Sequence, residues 1–121
     1  MIIIVYNLTQ HMCTAEQKAD GIVDVEDKKY IQELETFTKI PTKEEIRKRA
    51  VLLSEYAVKI GAKKVMIGGA FYLMTVLVEE LKKRDIAPYF AFTTRKSIDI
   101  TTSDGSVQKR SIFVYLGLIE A

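Results

Sequence analysis

The chain has 121 residues, enough for one domain, with 18 Lys and Arg against 16 Asp and Glu for a net charge of +2. Its 48% hydrophobic and 28% charged residues exclude a disordered chain, and a single cysteine, Cys13, excludes a disulfide scaffold. The longest apolar stretch, Gly68–Val78, is too short to span a membrane, and Met1–Tyr6 lacks the basic region of a signal peptide, so a cytoplasmic, membrane-free protein is expected.

In chain order, Ile2–Tyr6 is a short, continuous, β-branched run, the pattern of a parallel strand buried on both faces. A polar segment, Asn7–His11, follows. Thr14 with Gln17 has capping-box spacing and predicts a short helix ending at Gly21. Ile22-Val23 reads as a small strand. Asp24 is placed to cap a helix over Glu26–Phe37, with Ile31 and Leu34 facing inward.

Pro41 resets the chain, and Thr42–Glu45 forms a second capping box. Ile46, Ala50, Leu53, Ala57 and Ile60 then recur at helical spacing, and Gly61 ends the element. Lys64–Ile67 predicts a strand, Gly68-Gly69 a tight turn, and Phe71–Arg84 a helix whose first half is buried. Met66, Leu73, Met74 and Leu77 are assigned to the core. Asp85–Pro88 connects to a strand at Tyr89–Phe92, which is expected to end at Thr93–Lys96. Ser97–Thr102 alternates, with Ile98 and Ile100 on one face. Asp104-Gly105 predicts a two-residue type I′ turn, and Val107–Ile119 a long returning strand.

Strands alternating with helices imply a Rossmann-like α/β domain of three layers, mainly parallel, with a C-terminal hairpin. The hairpin either extends the sheet or projects to pair with another subunit. No repeat and no low-complexity segment interrupts this plan.

In such sheets ligands bind beyond the carboxyl ends of the strands. Three polar segments fall there: Asn7–His11, Gly68-Gly69 and Thr93–Lys96. Gly68-Gly69 joins a strand to a helix N-terminus, where free N–H groups attract anions and glycine lets a phosphate approach closely. A tight turn that needs positive φ is the plainer alternative. Neither a Walker A nor a Gly-x-Gly-x-x-Gly pattern is present. Thr93, Thr94, Arg95 and Lys96 offer two hydroxyls, a guanidinium fork and an ammonium, a set suited to phosphate and ribose. His11, the lone histidine, is either a surface residue or a general acid/base. Phe71 and Tyr72 stand beside the glycines, where an aromatic ring stacks on a base or packs into the core, and core packing is expected for Phe71. One histidine and one cysteine do not make a transition-metal site, so no metal and no cofactor is expected. Near-neutral charge argues against long duplex DNA as a partner.

Three motifs resemble a known family. Gln10-His11-Met12-Cys13-Thr14-Ala15-Glu16-Gln17 is similar to the Asn-His-x-Leu-Thr-x-Glu-Gln opening of small accessory proteins of type III CRISPR systems. Pro88–Lys96 resembles their Pro-x-Tyr-Ala-Thr-Thr-x-Arg segment, and Val107–Tyr115 their C-terminal strand. The resemblance implies a minimal CARF-type domain, usually a homodimer. It also implies binding of cyclic oligoadenylate, the second messenger of type III antiviral defence, in cyclic tetra-adenylate form. Several such proteins are ring nucleases, which open the ring without metal by in-line attack of a ribose 2′-OH. On that reading Asn7, Thr9 and Gln10 touch the ligand backbone, and His11 is the acid/base or orienter. Gly68, Gly69 and Ala70 give N–H groups to phosphate, while Thr93, Thr94, Arg95 and Lys96 hold phosphate and ribose.

The chain departs from the family pattern at Gln10, where Asn is usual, and at Val114-Tyr115, where the family strand carries a histidine. The second departure favours a non-catalytic sensor or sponge as the alternative. A small nucleotide-binding regulatory protein of a mobile element and an interaction module that oligomerises through its hairpin are the further readings.

Overall fold

The structure is a computed structural model, and it describes residues 3–121. Five strands form one sheet: β1 (Val5–Asn7), β2 (Ile22–Asp24), β3 (Lys64–Ile67), β4 (Ala87–Thr101) and β5 (Val107–Glu120), in the order β2-β1-β3-β4-β5. The first three pairings are parallel, and β4 with β5 is antiparallel. The α/β class, the mainly parallel sheet and the C-terminal hairpin expected from the sequence are therefore all present.

Four helices connect the strands. They are α1 (Ala15–Ala19), α2 (Lys28–Glu35), α3 (Lys43–Lys59) and α4 (Phe71–Lys83). The two faces of the sheet are covered unequally. On one face, α2, α3 and α4 bury the main core, in which Leu53, Val65, Leu73, Leu77 and Leu81 are fully enclosed. On the other, the third layer is reduced to the five-residue α1, over a small cluster of Cys13, Ile22 and Met66.

The local chemistry accounts for most boundaries. The Thr14 hydroxyl accepts the Gln17 N–H while the Gln17 side chain accepts the Thr14 N–H, closing the capping box. Thr42 accepts the Glu45 N–H and starts α3. Ala50, Leu53 and Ala57 are buried as their spacing required, with Ile46 and Ile60 at the margin. Gly61 (φ 75°) ends α3 in the left-handed region, with Ala62 N–H donating back to the Ala57 carbonyl. At the end of α4 Asp85 does the same work at φ 60°, with Ile86 N–H bonded to the Leu81 carbonyl.

Several expectations need correction. Ile2 lies outside the described residues, and β1 begins only at Val5, leaving Ile3 and Ile4 exposed. Asp24 does not cap a helix: it ends β2, and Asp27 caps α2 by accepting the Tyr30 N–H. Strand β4 does not stop at Phe92. It starts two residues early, at Ala87, and runs on to Thr101, because β5 supplies a partner rung by rung from Tyr89 to Thr101. The turn is also different. Asp104 keeps a negative φ, which a type I′ turn forbids, and Gly105 alone is left-handed (φ 85°). Thr102 N–H donates to the Ser106 carbonyl, closing a three-residue loop whose Asp104 carboxylate accepts the Ser106 N–H and hydroxyl.

The hairpin thus has two parts. Its base, Tyr89–Phe92 against Gly117–Glu120, belongs to the sheet. A register shift follows at Phe92/Thr93, and beyond it the strands pair only with each other from Thr93↔Tyr115 to Thr101↔Val107. These nine rungs make an arm roughly 30 Å long at ~3.3 Å per residue. Ile98, Ile100, Ile112 and Val114 share one face of it, and Arg95 stacks over Phe113 on the other.

Candidate functional site

Strand order reverses between β1 and β3, since the chain leaves β1 for β2 on one side and returns to β3 on the other. That is the switch point where loops diverge and leave a crevice in open α/β sheets. A cleft of about 340 Å³ lies there, lined by Thr9, Gln10, His11, Gly68, Gly69 and Phe90 among others.

The first wall is the loop after β1, held rigid from beneath by Asn7. This side chain is fully buried. Its amide nitrogen donates to the His11 carbonyl at 2.7 Å and to Asp24 Oδ1 at 2.9 Å. Its oxygen accepts the Thr9 N–H at 3.0 Å and the Thr9 hydroxyl at 2.6 Å. Lys28 Nζ donates to the Asn7 and Thr9 carbonyls at 3.0 and 2.7 Å, and Gln32 donates to the Gln10 carbonyl at 3.0 Å. With these backbone groups satisfied internally, the side chains of His11 and Gln10 are left facing the cleft.

The charges follow from this packing. Burial alone would raise the Asp24 carboxyl, but hydrogen bonds from Asn7 and the Cys13 N–H, with the charge of Lys28, hold it below its usual value. Burial lowers Lys28, with Asp24 opposing. Burial and then Asp24 push the Cys13 thiol up to about 11, so this cysteine is inert as a nucleophile at neutral pH.

The second wall is Gly68-Gly69, between β3 and α4. Gly69 has φ 148°, a conformation that L side chains rarely adopt. A Cβ built on it would also meet Glu35 Oε1 at 3.0 Å. Glu35, the last residue of α2, is 95% buried, and among the described residues neither carboxylate oxygen has a hydrogen-bond partner. Burial pushes its carboxyl up to about 8, against the opposing charge of Lys28. The α4 N-terminus beside it carries no side-chain cap.

The structure brings Thr9, Gln10, His11, Gly68 and Gly69 to one cleft, as the sequence reading expected. It separates the rest. Asn7 faces inward and organises the loop instead of meeting a ligand. Ala70 is the N-cap of α4 and packs on the main core. Tyr72 lines a different groove with Phe37, Ile40 and Ile46, its ring edge-on to Phe37 at 5.5 Å. Phe71, expected in the core, is 79% exposed. Thr93, Thr94, Arg95 and Lys96 are exposed on the arm, which rises from the Phe90-Ala91 wall of the cleft. Arg95 lies about 13 Å along the strand from Ala91, at ~3.3 Å per residue. Among the described residues that line the cleft, no lysine or arginine is present.

Sequence reasoning missed Asp24, Lys28 and Glu35. Asp24 and Lys28 look like ordinary surface charges until β2 and α2 dock on the β1 loop. Glu35 carries one readable signal: with Lys28 and Ile31 it falls on a single helical face, and Ile31 is core.

A protein-family profile described as the Uncharacterized protein MJ1673 family matches residues 4–118. No curated protein and no solved structure matches the chain. Among the described residues, no helix is long and apolar enough to cross a membrane.

Proposed function

The chain belongs to the MJ1673 family, and for it we propose binding of cyclic oligoadenylate, with cyclic tetra-adenylate as the first candidate, in a homodimer that opens the ring without metal. The observation that carries this reading is the switch-point cleft itself, where a rigid His11 loop faces a diglycine at an uncapped helix N-terminus. Backbone N–H groups there suit a phosphate oxygen. A cleft of about 340 Å³ lies at the small end of ligand pockets, roughly 300–1,000 Å³, so a four-nucleotide ring needs two copies of it. A two-fold axis supplies them, and the arm offers a surface for the pairing.

In the proposed reaction a ribose 2′-oxygen attacks its own 3′-phosphorus and the 5′-oxygen leaves, giving a 2′,3′-cyclic phosphate and a 5′-hydroxyl. The cleft contributes alignment, N–H groups to the developing charge and His11 as proton carrier. Arg95 and Lys96, remote from their own cleft wall, act in this scheme from the arm of either copy. Type III CRISPR signalling, which such cleavage switches off, is the biological setting the motif resemblance supports.

Incubation with cyclic tetra-adenylate in EDTA, resolved by chromatography, tests the proposal. Linear product is expected, lowered more than tenfold by His11→Ala and by Arg95→Ala. No binding and no product would overturn it. A second reading, a sensor or sponge that returns the ring intact, is favoured by the single histidine and the absence of lysine or arginine from the described cleft lining. It predicts binding that survives His11→Ala with no linear product.

A further inference from the structure

The buried carboxyl of Glu35 lies directly behind the diglycine wall. Its side chain reaches from the end of α2 to the position a Gly69 Cβ would occupy, 3.0 Å from Oε1, with Met74 Cε at 3.6 Å on the same side. Both oxygens are sealed from solvent and unpartnered among the described residues. Most buried carboxyls are paired with a cation or with N–H donors. Glu80 in this protein is an example, bound by Arg47, Lys83 and Arg84 within 3.0 Å. Glu35 has the same degree of burial and none of that company.

A bare carboxylate in such a place is costly, and the group avoids the cost by keeping its proton. As a neutral acid it holds one O–H donor with no acceptor inside the protein. Gly69 lines the cleft while the carboxyl does not, and Oε1 lies 3.0 Å from where a Gly69 side chain would begin.

We propose that Glu35 makes the cleft proton-linked: neutral behind Gly69, it admits an anionic oxygen on Gly68-Gly69, and ionised, it repels one across that glycine. The inference rests on the cleft being an anion site, as in the function proposed above, but not on the ligand being a cyclic oligonucleotide. The neutral acid welcomes an anion, whereas the ionised form repels it. Anion affinity should fall as Glu35 loses its proton, and a bound anion should raise the pH at which it does so. The charged groups around it are few. Lys28 shares its face of α2 and favours ionisation. Arg49 of α3 donates to the flanking Leu34 and Thr36 carbonyls and is itself paired with Glu45. Asp24 reaches Glu35 only through Lys28. His11 stands on the opposite wall of the cleft.

The test uses isotopically labelled full-length protein and sulfate, whose charge is constant above neutrality. The Glu35 carboxyl carbon should titrate near pH 8, and sulfate should move the Gly68 and Gly69 carbonyl carbons. Apparent sulfate affinity should be about tenfold weaker at pH 9 than at pH 7, the loss expected when a neutral group behind the anion becomes charged between them. Glu35→Gln, which keeps shape and stays neutral, should reduce that pH dependence to under twofold. If Glu35→Gln does not fold, the wild-type carboxyl titration with and without sulfate decides alone: sulfate must shift it upward. Ionisation below pH 6, glycine carbons unmoved by sulfate at pH 7, or pH dependence that persists in Glu35→Gln overturns the inference. Failure of cyclic tetra-adenylate to bind while the sulfate results hold would count against the ring ligand and not against Glu35.

Discussion

The body of the protein and its arm obey different rules. In the body, Leu53, Val65, Leu77 and Leu81 are fully enclosed between helices and sheet, and bonds from Asn7, Lys28 and Gln32 tie the β1 loop down. In the arm, nine rungs of ladder have no third strand, and the innermost is tied to the end of α1 by the Tyr115 hydroxyl, which donates to Asp20 at 2.7 Å. Val107 and Phe113 there are 63% and 69% exposed. An isolated two-stranded hairpin is marginal in water. The body is explained by its own contacts, whereas most of the arm is held by its own two-stranded ladder. Charge draws the same line. The arm holds Arg95, Lys96, Lys109 and Arg110 against Asp99 and Asp104, which is the whole of the chain's net +2.

The largest effects should come from the body. Leu77→Ala leaves a cavity in the main core and should cost about 2–5 kcal/mol in urea unfolding, whereas Ile100→Ala on the arm should cost under ~0.5 kcal/mol. Equal costs would break the contrast. Asn7→Ala strips partners from Asp24, Thr9 and the His11 carbonyl together, and should cost about 2–3 kcal/mol by the same measurement. Within the body, Glu35 should set a slope. Its folded value, about 8, is above the usual 4.5, so the folded state holds an extra proton between these pH values. Stability should therefore fall as pH rises from about 4.5 to 8 and level off above, and Glu35→Gln should flatten that slope. Thermal melts across that range check both. Glu80 works in the opposite sense. Bonds from Lys83, Arg84 and Arg47 hold it down to about 2, so its contribution is present above about 4.5 and lost as pH falls toward 2. The smallest effect on the body should come from cutting the arm away. Joining Thr93 to Tyr115 through Asn-Gly should move the melting temperature by less than about 4 °C while abolishing self-association in sedimentation. A body that no longer folds would show that the arm is structural.

The same division governs how much the sequence discloses. Periodicity and caps located α1, α3, β3 and α4 nearly to the residue, because Thr14, Thr42, Gly61 and the Leu73–Leu77 face act over short range. The cleft was legible for a similar reason: polar segments after strands β1 and β3 must meet at the same edge. The arm misled because Thr93–Lys96 is polar, and polarity after an apolar run reads as a strand end. What continues the strand is pairing with Ile112–Tyr115, 16 to 22 residues away, which local pattern does not encode. Glu35 and Asp24 stayed hidden because charge is read as surface until a distant element buries it. Phe71 erred in the other direction: an aromatic ring expected in the core is left 79% exposed.

The free ladder of the arm also carries a consequence for how such a protein can change. Beyond the innermost rung, where the Tyr115 hydroxyl donates to Asp20, each rung pairs only with its opposite number, so strand pairing to the body does not fix how many rungs there are. Removing two residues from each strand shortens the arm and leaves every remaining side chain on its original face. Removing one from each moves the Asp104-Gly105 tip inward by an odd step and turns it over relative to the body. Length in even steps is therefore a nearly neutral variable, by which the reach of the arm can be tuned to a partner while the cleft stays as it is.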